Sequence, residues 1–366
     1  MSVQSAPAKR YAPVALHAWA RDLLVGAGLR ADAAELVADT LIAAEARGIK
    51  SHGVVRLPIY VQRLERGLVA RDPRPTIVRR GGAVAVIDAH HAPGQVAAVY
   101  ATDLAIALAR EHGVGLAVVK RSSHYGAAAY YVQRAAREGM VALTVSNVEP
   151  DVVPYGGSVA ALGTNPLAFA APAPDGEDGV VLDMATSHVA MGKVLNARTT
   201  SAPLGTGWAV DAEGRPTTDP HLARSAVPLG GAKGYGLALM IELLAGALSG
   251  AGTTHGVHRM YDDWDEPQDV GHFFLVIDPE ATVGRDAFTT AAHGVVTSLR
   301  ATPPAPGVDR VRVPGDIEAE HERRHAEAGI DLPDHLVADL EALSVRLTVV
   351  APAPIPGGPN DREVQP

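Results

Sequence analysis

The chain contains no cysteine, so disulfides, thiolate nucleophiles and cysteine-based metal sites are excluded at once. Aromatic residues are scarce, 4% of 366 positions, and no stretch interleaves them with basic residues. That leaves no stacking platform for nucleic acid. Basic charge is in deficit, with 32 Lys and Arg against 41 Asp and Glu, and the net of -9 is the wrong sign for a phosphate-backbone partner. Long apolar runs are also missing. The longest, YGLALMIELLAGALSGAG at 235–252, is short for a membrane span and carries Glu242, so it reads as a buried core helix. The opening residues, MSVQSAPAKRYAPVALHAWARDLL, show no apolar segment followed by a cleavage site. No signal peptide is expected, and the chain is expected in the cytoplasm.

What is present is an ordinary globular composition, 47% hydrophobic and 20% charged, rich in alanine, glycine and valine. Apolar spacing predicts helices over 14–27 and 32–48, then a turn at 51–57 leading into a third helix in which Pro58 occupies the first turn. From 83 onward the period changes. Strands are predicted at 83–88, 115–120 and 140–147, alternating with helices at 94–113 and 127–139, which argues for α/β architecture. Residues 147–180 read as loops and short strands, 179–187 as a buried strand, and 228–250 as a Gly-rich turn feeding a long helix. A strand at 271–278, a helix at 286–300, a strand, turn and polar helix over 309–329 and a last helix at 334–346 follow. The Pro/Gly-rich end, 351–366, is expected to be disordered.

Three short motifs invite over-reading. GAGLRA (26–31) matches a dinucleotide fingerprint, but helices flank it where strands are required, so a helix C-terminus at Gly28 is expected. GGAKGYG (230–236) lacks P-loop spacing; it is either an anion-binding helix start with Lys233 or a plain surface turn. HERRH (321–325) has the spacing of a zinc hydrolase, two histidines four apart with a glutamate as base. Its flanks are charged on nearly every side, so a solvated, salt-bridged helix without metal is expected.

Four other stretches carry chemistry. In KSHGVVRLPIY (50–60), Ser51, His52, Arg56 and Tyr60 cluster at a helix entry. Histidine exchanges protons near neutral pH, and the arginine fork matches a carboxylate, a combination suited to a 2-oxo or 2-hydroxy acid. In KRSSHYGAAAYY (120–131), His124 follows a strand end, where α/β proteins place ligands. Residues 146–174 form a long loop containing Asn147, and VLDMATSHVAMGK (181–193) brings Asp183 to Ser187 out of a strand. Each has a plainer reading as a capping or turn residue, Thr186 or Ser187 among them.

Taken in order, SHG-x-x-R-x-x-x-Y, S-x-H-Y-G, SN…VP-x-GG…GTNP, LDMATS, GG-x-KGYGL and VPGD resemble the non-Rossmann malate/L-lactate dehydrogenase family, over about 12–346. Its relatives include sulfolactate and ureidoglycolate dehydrogenases, diketogulonate reductase and piperideine-carboxylate reductase. The resemblance implies an α/β fold whose NAD(P)-binding domain is a mixed β-sheet of non-Rossmann topology flanked by helical subdomains. It implies an N-terminal helical segment at 1–80, an NAD(P)-binding domain at 121–259, and a mixed α/β domain from 81–120 and 260–350. It also implies a homodimer and hydride transfer between NAD or NADP and a small 2-oxo or 2-hydroxy acid, with no metal.

Under the resemblance His52 becomes the proton donor and His124 the second candidate, the two not being separable at this stage. Arg56 would hold the substrate carboxylate with Ser51, Tyr60 and Asn147 nearby. Asp183 would bond a catalytic group or the cofactor. Met184, Ala185, Thr186, Ser187, Lys233, Gly234, Pro314, Gly315 and Asp316 would contact the cofactor. Arg198 is one candidate for a 2′-phosphate, and NAD against NADP stays open. Asp316 stands where the relatives commonly carry Glu. Glu149 and Asp151 make the 147–153 loop unusually acidic, which suits either solvent or an amino or imino substrate. The alternatives are an NADPH-dependent reductase of cyclic 2-imino acids, a zinc hydrolase at HERRH, and a binding protein that has kept the fold.

Overall fold

The structure, a computed structural model, describes residues 9–174 and 179–356. In chain order the elements are β1 (Lys9–Tyr11), α1 (Pro13–Gly26), α2 (Ala31–Ala46), α3 (Leu57–Glu65), β2 (Thr76–Gly81), β3 (Val84–Asp88), α4 (Gly94–His112) and β4 (Val114–Ser122). Then come α5 (Ala129–Arg137), β5 (Val141–Ser146), β6 (Leu167–Ala171), β7 (Val180–Met184), α6 (Met191–Thr200), β8 (Ala209–Val210), β9 (Pro216–Thr217) and β10 (Ser225–Ala226). The chain continues through α7 (Ala232–Ile241), β11 (Val270–Ile277), α8 (Arg285–Arg300), α9 (Asp316–Ala328), β12 (Ile330–Leu332) and α10 (Asp334–Leu347).

The main sheet has seven strands in the order β2-β3-β4-β11-β5-β6-β7. Only β3 and β4 run parallel; every other neighbouring pair is antiparallel. This is the mixed, non-Rossmann sheet expected from the motif order. The alternation of apolar residues explains its two coverings. Ala117 and Val119 of β4, with Phe274 and Val276 of β11, pack under α4 and α5. Val118 and Phe273, one step along, meet Ile241 and Ala245 on the opposite face. The sheet takes strands from 81–120, from 121–259 and from beyond 260, so the stretches expected as separate units share one backbone ladder.

A second core lies mainly among helices. α1, α2 and α3 bury Leu16, Leu23, Leu41 and Leu57 against Leu336 and Leu340 of α10, and Trp19 Nε1 donates to Ser344 Oγ at 2.7 Å. Gly28 stands just past α1 with φ of 92°, the helix-terminating role expected of GAGLRA. A third, smaller core gathers α6 against the three-stranded β10-β8-β9 sheet.

Several local expectations need correction. The 179–187 strand is not buried; β7 is the sheet's outer strand and is half-buried along its length. Residues 309–313 form no strand; the nearest link to the sheet is the Val181 N–H on the carbonyl of the next residue, Pro314. The long helix after 231 changes to π geometry over Glu242–Ala247, where Glu242 is buried. Within the end expected to be disordered, the Ile355 N–H donates to the Arg10 carbonyl, while 357–366 lie outside the described residues.

Candidate active site

The site starts from a buried carboxylate. Glu45, near the end of α2, is 2% exposed, and its Oε1 accepts the Val54 N–H at 2.9 Å. A Cβ on Gly53 would stand 2.1 Å from that oxygen, so the glycine of SHG is required by packing. Burial raises Glu45 to about 7. The turn held above it carries Ser51, whose Oγ lies 2.8 Å from His52 Nδ1. It also carries Arg56, whose Nε donates to the Ser51 carbonyl at 2.7 Å and whose Nη1 donates to the Tyr261 hydroxyl. No carboxylate among the described residues pairs with Arg56.

His124 arrives from the opposite side, just beyond β4. Its backbone N–H donates to Gln268 Oε1 at 3.1 Å. Its Nδ1 accepts the Gly126 N–H at 3.3 Å and lies 2.7 Å from the Tyr60 hydroxyl, which itself accepts from Gln95 Nε2 at 3.0 Å. A backbone N–H can only donate, so Nδ1 is the acceptor and Nε2 carries the hydrogen in the neutral ring; this assignment follows from the network. The His52 and His124 rings are stacked, with centroids 5.4 Å apart and planes 22° apart. Burial, and then the Arg56 charge, hold His52 down to about 3. The same two causes, with His52 and His272 behind them, hold His124 well below the usual imidazole range. Both rings are neutral at pH 7.

Two turns converge on the end of β7, and a third meets the start of the strand. The Thr186 N–H donates to the Thr164 carbonyl of the GTNP turn, the Leu229 N–H of the PLGG turn donates to the Thr186 carbonyl, and the VPGD turn meets β7 through Val181. Met184 and Ala185 are half-buried there. Gly234 is needed by the turn, since a Cβ would fall 2.1 Å from the Leu229 carbonyl oxygen. Lys233, beside the α7 N-terminus, is exposed and bonded to no acid among the described residues, and the space around Gly230 is open. Free helix N–H groups with an unpaired ammonium suit a phosphate group, so these residues fit a dinucleotide. Gly315 lies against Val181, and Pro314 is exposed beside it. Burial pushes Asp316 up, but the Arg300 guanidinium and the Val313 N–H outweigh it and hold its carboxyl below the usual range.

Other expected residues sit elsewhere. Asn147 does not face the cleft. It is fully buried, its amide donating to the Gly252 carbonyl and Glu242 and accepting the Gly271 N–H. Thr186 and Ser187 have their hydroxyls committed to backbone carbonyls and shape the turn from inside. Asp183 does not touch His124; its Oδ2 accepts the Ala129 N–H at 2.8 Å, capping α5, and burial raises it to about 6. Arg198 is spent on the Pro220 and Ala223 carbonyls. Glu149 is buried on the Met260 N–H and Asp151 pairs with Arg259 at 3.1 Å, so neither acid faces a substrate.

Those contacts expose what the sequence reading missed: a strap, residues 259–268, laid across the site. Arg63 of α3, 1% exposed, donates to the strap carbonyls of Arg259, Met260, Asp263 and Glu266. Trp264 covers the Arg66 guanidinium at 4.3 Å. The strap delivers Tyr261 to Arg56 and Gln268 to His124. One signal was available: RMYDDW places two aromatic residues within four positions of a chain that is only 4% aromatic.

The HERRH helix is α9, and its expected solvation is corrected in part. His325 is buried against α2, with Nδ1 on the Ala46 carbonyl at 2.7 Å, and Glu322 pairs with Arg47 at 3.1 Å. Among the described residues no group of three or more His, Asp or Glu side chains is placed to hold a metal ion.

Comparison with known proteins agrees with this architecture. The family model described as malate/L-lactate dehydrogenase matches residues 12–341. Ureidoglycolate dehydrogenase (NAD(+)) of Escherichia coli is 39% identical over 321 residues, 88% of this chain and 92% of that protein. The structure of sulfolactate dehydrogenase from Methanocaldococcus jannaschii superposes with a TM-score of 0.87 at 33% identity, covering 93% of this chain and 98% of that one. That of delta1-piperideine-2-carboxylate reductase from Pseudomonas syringae gives 0.82 at 30% identity, covering 92% and 99%. With most of its length accounted for in sequence and in fold, the chain belongs to the malate/L-lactate dehydrogenase family.

Proposed function

We propose that the protein interconverts a small 2-oxo acid and the matching 2-hydroxy acid with NAD or NADP, using Arg56 to receive the substrate carboxylate and the two histidines to handle the carbonyl oxygen. The observation that carries this reading is a half-buried arginine without an acidic partner, beside two stacked neutral imidazoles. Residues at the end of β7, Lys233 with Gly234, and the 314–316 turn hold the dinucleotide in this scheme, and a bound reduced nicotinamide supplies the hydride.

The hydrogen bonds support a reading in which the histidines do different work. Protonating His124 at Nδ1 would set a new N–H against the fixed Gly126 N–H. Protonating His52 meets only the Ser51 hydroxyl, which can rotate to accept. His52 is therefore the ring that gains and gives the proton, and His124 orients the oxygen through its Nε2–H. After burial, the Arg56 charge lowers the basicity of both rings. A carboxylate on Arg56 offsets that charge, the smaller cause after burial, and so moves the ring toward taking up a proton that it can deliver to the carbonyl oxygen. Asp183 acts by fixing the start of α5, just beyond the His124 loop.

The acidic-loop argument for a cyclic imino acid falls away, because Glu149 and Asp151 hold the strap. The test runs NADH and NADPH in parallel against 2-oxo acids and cyclic 2-imino acids, with and without EDTA. EDTA-resistant oxidation with an oxo acid is expected. Turnover confined to imines, or loss with EDTA, overturns the reading.

We also place the protein in the cytoplasm, where nicotinamide cofactors are turned over, as a homodimer. α7 and its π-helical continuation show an apolar row, with Leu243 and Leu248 each 55% exposed, and α8 buries no residue in the single chain. A second copy covering these faces predicts twice the chain mass in light scattering, and a monomer for Leu243→Lys.

A further inference from the structure

We propose that Tyr261 is a second anchor for the substrate carboxylate, its hydroxyl donating to the same anion that Arg56 receives; the inference rests on the dehydrogenase reading and extends it. A guanidinium has donors and no acceptor, so in the Arg56–Tyr261 bond the phenol oxygen accepts. Its own hydrogen is left over, and no acceptor among the described residues takes it. Arg56 Nε is committed to the Ser51 carbonyl, so its remaining hydrogens lie on the two terminal nitrogens, of which Tyr261 touches Nη1. One end of the fork and one hydroxyl hydrogen thus stand side by side, both donors, beside the two histidines. Two adjacent donors match the two oxygens of a carboxylate.

The strap makes this arrangement ready before substrate arrives. The Met260 N–H is held by Glu149 and its carbonyl by Arg63; Arg63 also holds Asp263, and Arg259 is tied to the Pro150 carbonyl and Asp151. Tyr261 is thus bracketed by fixed backbone while the residue itself stays 47% exposed. Ordering the hydroxyl in advance lowers the entropic cost of binding. A pair made only of donors also discriminates. It accepts a carboxylate but sets an N–H against an N–H or O–H when the acid is converted to its amide.

The experiment compares the wild-type protein with Tyr261→Phe, which keeps the ring and removes the hydroxyl. The probes are oxamate, a stable 2-oxo acid mimic, added to the enzyme–NADH complex, and the best 2-oxo acid from the turnover panel. Expected for Tyr261→Phe are roughly tenfold weaker oxamate binding and a matching rise in KM. The value of kcat should hold within about twofold, with NADH affinity and Tm unchanged. Unchanged oxamate affinity, or a fall in kcat at constant KM, overturns the proposal. Wild-type protein that neither turns over an acid nor binds oxamate overturns the dehydrogenase reading itself, and is recognised because it occurs without the substitution.

Discussion

The chain holds two histidine pairs of nearly equal spacing, and they do different things. His52 and His124 have ring centroids 5.4 Å apart, and His321 and His325 have theirs 5.9 Å apart. The first pair comes from distant segments and the second from one helix turn. In the second pair His325 gives Nδ1 to the Ala46 carbonyl, and His321 bonds Arg324 while its ring rests on Gly48. In the first pair one nitrogen of each ring is fixed by a neighbour, and the arginine alongside pairs with no carboxylate among the described residues. Proximity of two imidazoles therefore says little; each of the four rings has its Nδ1 bonded, and what the rings rest against, an arginine held on Ser51 and Tyr261 in the first pair and the end of α2 in the second, separates a site from a packing contact.

The comparison breaks most readily on turnover. His52→Ala and His124→Ala are expected to lose roughly 10²–10⁴-fold in kcat while still binding cofactor, whereas His321→Ala leaves kcat within about twofold. A large loss in His321→Ala would return attention to metal chemistry at α9. Next in size is a stability effect beneath the first pair. Gly53→Ala drives a methyl group into Glu45 and should cost about 1–3 kcal/mol in urea denaturation, with activity falling as the turn shifts.

Glu45 supplies a further test, through pH. Its carboxyl is raised from 4.5 to about 7 in the fold, so its contribution to stability is complete below pH 4.5 and is lost as pH rises through 7. Glu45→Gln keeps an acceptor for the Val54 N–H and removes the titration. The decline in stability across that window, on the order of 3 kcal/mol, should flatten in denaturation curves taken at each pH. The smallest effects sharpen the contrast. His325→Ala should cost about 1–2 kcal/mol of stability without touching kcat. Formation of the substrate complex should take up less than about one proton per site, read by calorimetry in buffers of different ionisation enthalpy, and that uptake should vanish in His52→Ala.

Much of this was readable before any coordinates. Helices α1 to α4 follow the apolar spacing closely, and the SHG and SHYG stretches meet through the stacked rings of His52 and His124. What the sequence hid has a common physical cause. Asn147 looks like a loop residue, yet its amide is consumed by groups some hundred positions away, Glu242 and Gly252. Residues 309–313 alternate like a strand but find no neighbour to complete a ladder. Tyr261 and Gln268 serve the site only because Arg63, nearly 200 positions earlier, fixes the strap. Periodicity reports which face of an element is apolar and is silent about which distant polar group will meet it.

The way Arg63 grips the strap bears on how such a protein can diversify. Its bonds go to main-chain carbonyls, which every residue type provides, so the path of the strap is largely independent of the side chains it displays. Residues at positions such as 262 and 265 can be exchanged while the scaffold around the histidines stays put. A laboratory seeking new acids for this catalyst would do well to randomise the strap and leave α3 alone.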